Sequence, residues 1–114
     1  EIENGSGLSR RERISASSLN RLLLDAWLNP VMPELISSLP IVGSDGTMKR
    51  RLKTSDVSGR AHIKTGSLDS VRSAAGYAVN AQGRRFAVTF LINHPRAQAG
   101  QAAIDALLLW IAQQ

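Results

Sequence analysis

Lys64-Thr65-Gly66-Ser67 places an ammonium, two hydroxyls and a bare backbone within four consecutive residues. That set suits holding a substrate carboxylate beside a serine nucleophile. Lys64 supplies positive charge, Thr65 and Ser67 supply hydroxyl donors, and Gly66 lets a substrate backbone lie along a strand edge. Backbone N–H groups of the same stretch can form part of an oxyanion hole. Taken alone, Lys-Thr-Gly is a weak signal, arising by chance in roughly a few per cent of chains this long. Its meaning depends on the elements that position it.

Those elements can be read from periodicity. From Arg60 the pattern alternates with period two, which predicts a strand over Ala61–Thr65 that ends at the Lys-Thr-Gly. Ala61, Ile63 and Thr65 share one face; His62 and Lys64 share the other. Ser73–Val79 and Arg85–Asn93 read as two further strands, joined by a hairpin loop at Asn80-Ala81-Gln82-Gly83. The third strand is apolar on both faces and predicts cover on both. Before the strands, Leu19, Leu22, Leu23, Ala26 and Trp27 form an apolar helical stripe. Ser15 is its N-cap, with Ile14 and Leu19 placed as a hydrophobic staple. Asn29-Pro30 ends that helix. A short helix over Met32–Leu39 follows, with Pro33 in its first turn. Met48–Leu52 can form one further helical turn. A last helix spans Ala97–Ala112, with Ala103, Ile104, Leu107, Leu108 and Ile111 facing the sheet. The fold class is α+β: N-terminal helices, a three-stranded antiparallel meander and a C-terminal helix packed on it.

Composition sets the outer bounds. The chain has 114 residues, enough for one segment with a single modest core. It has no cysteine, which excludes disulfides and thiolate metal sites. Two histidines give no metal signature, and no cofactor is expected. No apolar run reaches the roughly 20 residues that span a bilayer. The chain opens on Glu1-Ile2-Glu3, without a signal peptide or an initiator Met, and is expected to begin inside a longer protein. The net charge of +5 gathers at Arg10–Arg13, Lys49–Lys53 and Arg84-Arg85. This supports an alternative reading, a small basic module for nucleic acid or an anionic cell-wall polymer. Against nucleic acid, the chain holds only two Phe, two Trp and one Tyr to stack bases.

Four blocks stand in order along the chain: Asn4-Gly5-Ser6-Gly7-Leu8-Ser9-Arg10, Gly43-Ser44-Asp45-Gly46-Thr47-Met48-Lys49-Arg50-Arg51, Lys64-Thr65-Gly66-Ser67-Leu68 and Ala75-Gly76-Tyr77. Together they resemble the class C low-molecular-mass penicillin-binding proteins, serine-type D-alanyl-D-alanine carboxypeptidases/endopeptidases of bacterial cell-wall turnover. The resemblance covers essentially the whole chain. It implies that residues 1–114 form the C-terminal portion of a penicillin-binding transpeptidase-like, β-lactamase-like catalytic domain. It also implies a periplasmic or cell-wall-facing location. The implied partners are a peptidoglycan stem peptide ending in D-Ala-D-Ala, β-lactams and the upstream part of the same polypeptide, and nucleic acid is not among them. Lys64, Thr65, Gly66 and Ser67 become the substrate-binding wall.

The family attacks its substrate with the serine of a Ser-x-x-Lys motif. No serine in this chain has Lys three residues on. Ser18-Leu19-Asn20 spells the family's Ser-x-Asn, but it falls in the first turns of a helix and reads as a decoy. Both true motifs are expected upstream of Glu1, so no catalytic residue is assigned here and the chain is expected to be inactive alone. Ser6 and Arg10 either line the cleft or brace their loop. His62 either lines the cleft or is a partly exposed strand residue. An uncovered sheet edge would favour self-association.

Overall fold

A computed structural model of the chain describes residues 13–42 and 59–114. The predicted turn at Met48–Leu52 lies outside them.

Helix α1 spans Ala16–Trp27. Ser15 caps it, its hydroxyl accepting from the Ser18 N–H at 3.1 Å. The chain leaves it at Leu28, and Asn29 Oδ1 accepts from the Val31 N–H at 3.0 Å, turning the backbone. Helix α2, Met32–Ser38, carries Pro33 in its first turn. The predicted α1 stripe holds at Leu19, Leu23, Ala26 and Trp27, which are half-buried, but Leu22 is 57% exposed. Asn20 takes an inward place instead. The surface beneath α1 presents hydroxyls, so the inward face is partly polar. Ile14 remains 46% exposed, leaving the expected staple largely open to water.

The strands β1 (Ala61–Leu68), β2 (Val71–Val79) and β3 (Arg85–Asn93) form one antiparallel sheet in the order β1-β2-β3. β1 does not stop at Thr65. It continues through Gly66 and Ser67, which pair with Ser73 and Arg72. Gly and Ser are poor strand formers locally, and the long ladder with β2 overrides that preference. Asp69 and Ser70 make the tight turn to β2.

The β2–β3 turn is organised by Asn80, which is only 3% exposed. Its Oδ1 accepts from the N–H groups of Gln82 and Arg84, at 3.0 and 2.8 Å. Its Nδ2 donates to the Gln114 carbonyl at 2.6 Å, tying the turn to the chain's C-terminal end.

Alternation along the strands divides the sheet into two faces. Helix α3, Gly100–Ala112, covers one of them, after a short 3-10 turn at Ala97–Ala99. Ile104, Leu108, Ile111 and Ala112 pack there with Ala61, Ile63, Ala74, Ala78 and Val88. This is the core. Ala103, predicted inward, is exposed, and Ala112 takes its place. Helix α1 lies on the opposite face, over β3 and the end of β2. Its cover is incomplete, since Leu91 on β3 remains 39% exposed.

Candidate functional site

β1 fixes where each group of Lys64-Thr65-Gly66-Ser67 points. Lys64 and Gly66 project to the α1 side of the sheet with His62. Thr65 and Ser67 project to the α3 side with Ala61 and Ile63. The ammonium and the two hydroxyls therefore do not share a face. They meet only along the outer edge of the strand.

That edge is half occupied. Pro40–Val42 pairs with it antiparallel at His62. The Val42 N–H donates to the Ala61 carbonyl at 2.9 Å, and the Ile63 N–H donates to the Pro40 carbonyl at 2.8 Å. Ala61 and Ile63 thus turn their peptide groups outward. In an unbulged antiparallel strand this orientation repeats every second residue, and the register with β2 is continuous from Ala61 to Leu68. The N–H and C=O groups of Thr65 and Ser67 consequently face the outer edge. Among the described residues no strand pairs with Ser67 on that side. The Lys64 ammonium is folded back onto the Thr65 carbonyl at 2.5 Å.

The neighbouring strand is shaped to let β1 lie close. Gly76 sits opposite Ile63 at φ +156°, and a Cβ there would meet the His62 carbonyl oxygen at 2.0 Å. Across from Gly66, the Ser73 hydroxyl occupies the space a side chain would need, 2.5 Å from where a Cβ would stand. Past Ser67, the Arg72 guanidinium bonds the Leu68 carbonyl and, at 2.8 Å, the Val71 carbonyl, clamping the turn.

The other candidates separate. Ser18 is engaged in the α1 cap, accepting from Ser15 Oγ at 2.8 Å, and Asn20 Oδ1 accepts from Thr89 Oγ1 at 3.2 Å. The Ser-x-Asn spelling is thus absorbed by helix capping and helix–sheet packing. His62 is half-buried, with Nδ1 buried and unpartnered. It lines a depression below the Lys64 edge, beside Arg60, Arg85 and Trp27. Ser6 and Arg10, with the Asn4–Arg10 and Gly43–Arg51 blocks, lie outside the described residues. No group of three His, Asp or Glu able to hold a metal occurs among the described residues. No helix among them is long and apolar enough to cross a membrane.

Sequence reasoning gave no role to Ser73 or Arg72 and used Tyr77 only within the Ala75-Gly76-Tyr77 block. Tyr77 donates to the Leu23 carbonyl at 2.6 Å and packs on Trp27 with ring centroids 5.2 Å apart, joining α1 to the sheet. Burial raises its phenol pKa. The available signal was Tyr77 itself, an aromatic with a polar tip on the face that also carries Lys64.

Comparison with known proteins gives a consistent answer. The model of the D-Ala-D-Ala carboxypeptidase 3 (S13) family matches residues 1–114. Carboxypeptidase DacB of Mycolicibacterium smegmatis is 35% identical over 94% of this chain and 24% of its own length. A D-alanyl-D-alanine carboxypeptidase of Actinomadura sp. is 28% identical over 98% of this chain and 22% of its own length. The crystal structure of penicillin binding protein 4 (dacB) from Haemophilus influenzae superposes with a TM-score of 0.80 and 26% identity, over 100% of this chain and 28% of that one. A second structure of that protein, complexed with a novel β-lactam, gives 0.76 over 92% of this chain and 28% of that one, at 28% identity. The chain spans about a quarter of the length of these relatives. Nothing in these matches favours the nucleic-acid alternative.

Proposed function

The chain belongs to the D-Ala-D-Ala carboxypeptidase 3 (S13) family, and from that premise we propose that it is the C-terminal portion of a serine-type D-Ala-D-Ala carboxypeptidase/endopeptidase acting on peptidoglycan. Its part is the substrate-holding wall of the cleft. The observation that carries this reading is the outward-facing peptide group of Ser67, on the strand that bears Lys-Thr-Gly, with which no described strand pairs on that side.

The stem peptide lies along that edge as an added strand. The outward N–H of Ser67 donates to the scissile carbonyl oxygen, and its hydrogen bond strengthens as negative charge develops there. Lys64 and the Thr65 hydroxyl hold the terminal carboxylate. To do so, Lys64 leaves the Thr65 carbonyl, giving up an exposed hydrogen bond worth about 1 kcal/mol. The nucleophilic serine and its lysine base belong to the Ser-x-x-Lys segment, outside these residues. Serine attack forms an ester as the C–N bond breaks, and the leaving D-Ala amine takes a proton. Water then hydrolyses the ester. A β-lactam enters by the same route and persists as the acyl-enzyme. The protein faces the periplasm or the cell wall, where its substrate lies.

The test is release of D-Ala from a D-Ala-D-Ala stem peptide by the complete protein. Release that Lys64→Ala lowers strongly supports the reading. No release by the folded complete protein contradicts it.

A further inference from the structure

Below the Lys64 edge the sheet carries a row of three residues that the proposed reaction does not use. The Val79 N–H donates to the Arg60 carbonyl at 2.9 Å, and Val79 pairs with Arg85. Arg60, Val79 and Arg85 therefore stand side by side across the three strands. Alternation puts all three side chains on the His62 face. All three line the depression, with Val79 between the two arginines in the register. Met32 and Ile36 of α2 form apolar cover on one side, and Trp27 forms an aromatic wall.

Among the described residues the lining contains no carboxylate. Among the described residues neither guanidinium has an ion pair or hydrogen bond from its side chain. Arg85 is held over the Trp27 ring, 4.8 Å from its centroid, which orders it while leaving its N–H edges available. His62 also lines the depression, with an imidazole whose Nδ1 is buried and unpartnered.

We propose that this depression binds a phosphate monoester that carries an apolar or aromatic body. Two guanidinium groups lining one depression offer more donors than a carboxylate's two oxygens accept side-on, whereas a phosphate monoester presents three terminal oxygens. The apolar body rests on Met32, Ile36 and Trp27. This site is separate from the Thr65–Ser67 edge and does not depend on the carboxypeptidase reading.

Phenyl phosphate is the probe, titrated into the whole chain in a Trp110→Phe background so that Trp27 is the reporting fluorophore. The expected result is a saturable change in Trp27 emission, with phenol and benzoate each binding at least about tenfold more weakly. Arg60→Gln weakens phenyl phosphate by about tenfold or more, the scale of a charged hydrogen bond. Arg85→Gln does the same but also disturbs Trp27, so Arg60→Gln decides, with circular dichroism verifying its fold. No saturable change, phenol binding as tightly as phenyl phosphate, or unchanged affinity in folded Arg60→Gln would overturn the proposal. Benzoate binding as tightly as phenyl phosphate would overturn the phosphate assignment.

Discussion

Gly76 holds its Cα against the His62 carbonyl so closely that a Cβ would stand 2.0 Å from the oxygen. The contact is backbone to side-chain position, so no rotamer change relieves it. Gly76→Ala is expected to push β1 away from β2 or force the strand into another register. Stability should fall by roughly 2–4 kcal/mol, the range of backbone-clash substitutions. Thermal denaturation checks this. A melting temperature within a degree of the parent would show that the strand pair gives way freely.

Ser67 offers a cleaner separation of fold from function. Its N–H faces the outer edge, where no described strand pairs with it, and is not part of the β1–β2 ladder. Proline removes that N–H and is tolerated at strand edges. Ser67→Pro in the complete protein is expected to melt within a few degrees of the parent. It should acylate with a β-lactam about 10²–10³ times more slowly, the usual effect of losing one oxyanion donor. Parent-like acylation would remove the Ser67 N–H from the proposed oxyanion hole.

Tyr77 gives the fold a pH dependence. Burial raises its pKa above the ordinary value of 10.0. The folded chain thus keeps the phenol proton to higher pH than the unfolded chain does. The associated stability is fully present below about pH 10 and is lost as pH rises through the folded pKa. Tyr77→Phe should cost about 1–2 kcal/mol at neutral pH, because the buried partner of the Leu23 carbonyl is removed. It should also flatten the alkaline loss of stability. Urea denaturation from pH 8 to 11 measures both effects, and an alkaline slope unchanged in Tyr77→Phe would assign that loss to other groups.

Much of this architecture is legible in the sequence because its signals are local. Ser15 is a cap by residue type and position, β3 is bounded by turn residues, and the α3 stripe repeats at helical spacing. The extension of β1 through Gly66 and Ser67 is not legible, since both residues disfavour strands and only the partners Ser73 and Arg72 hold them there. Nor is the pairing of Pro40–Val42 with His62, a three-residue contact across a long sequence separation. The candidate site divides the same way. The chemistry of Lys64-Thr65-Gly66-Ser67 follows from residue type. Its split across two faces follows from alternation, and pairing of its outer edge with a described strand ends where Pro40–Val42 stops. Leu22 failed as a core residue because a helix lying over Tyr77 and Thr89 needs polar contacts as well as apolar ones.

The central claim is that Lys64 holds the substrate carboxylate in a cleft whose nucleophile lies elsewhere in the protein. The most direct measurement is the acylation rate of the complete protein by a fluorescent penicillin, compared with Lys64→Ala. The expected result is a fall of at least about a hundredfold, the scale of removing a charged partner from an enclosed ion pair, with the melting temperature retained because Lys64 is exposed. Acylation near the parent rate by folded Lys64→Ala would contradict the assignment.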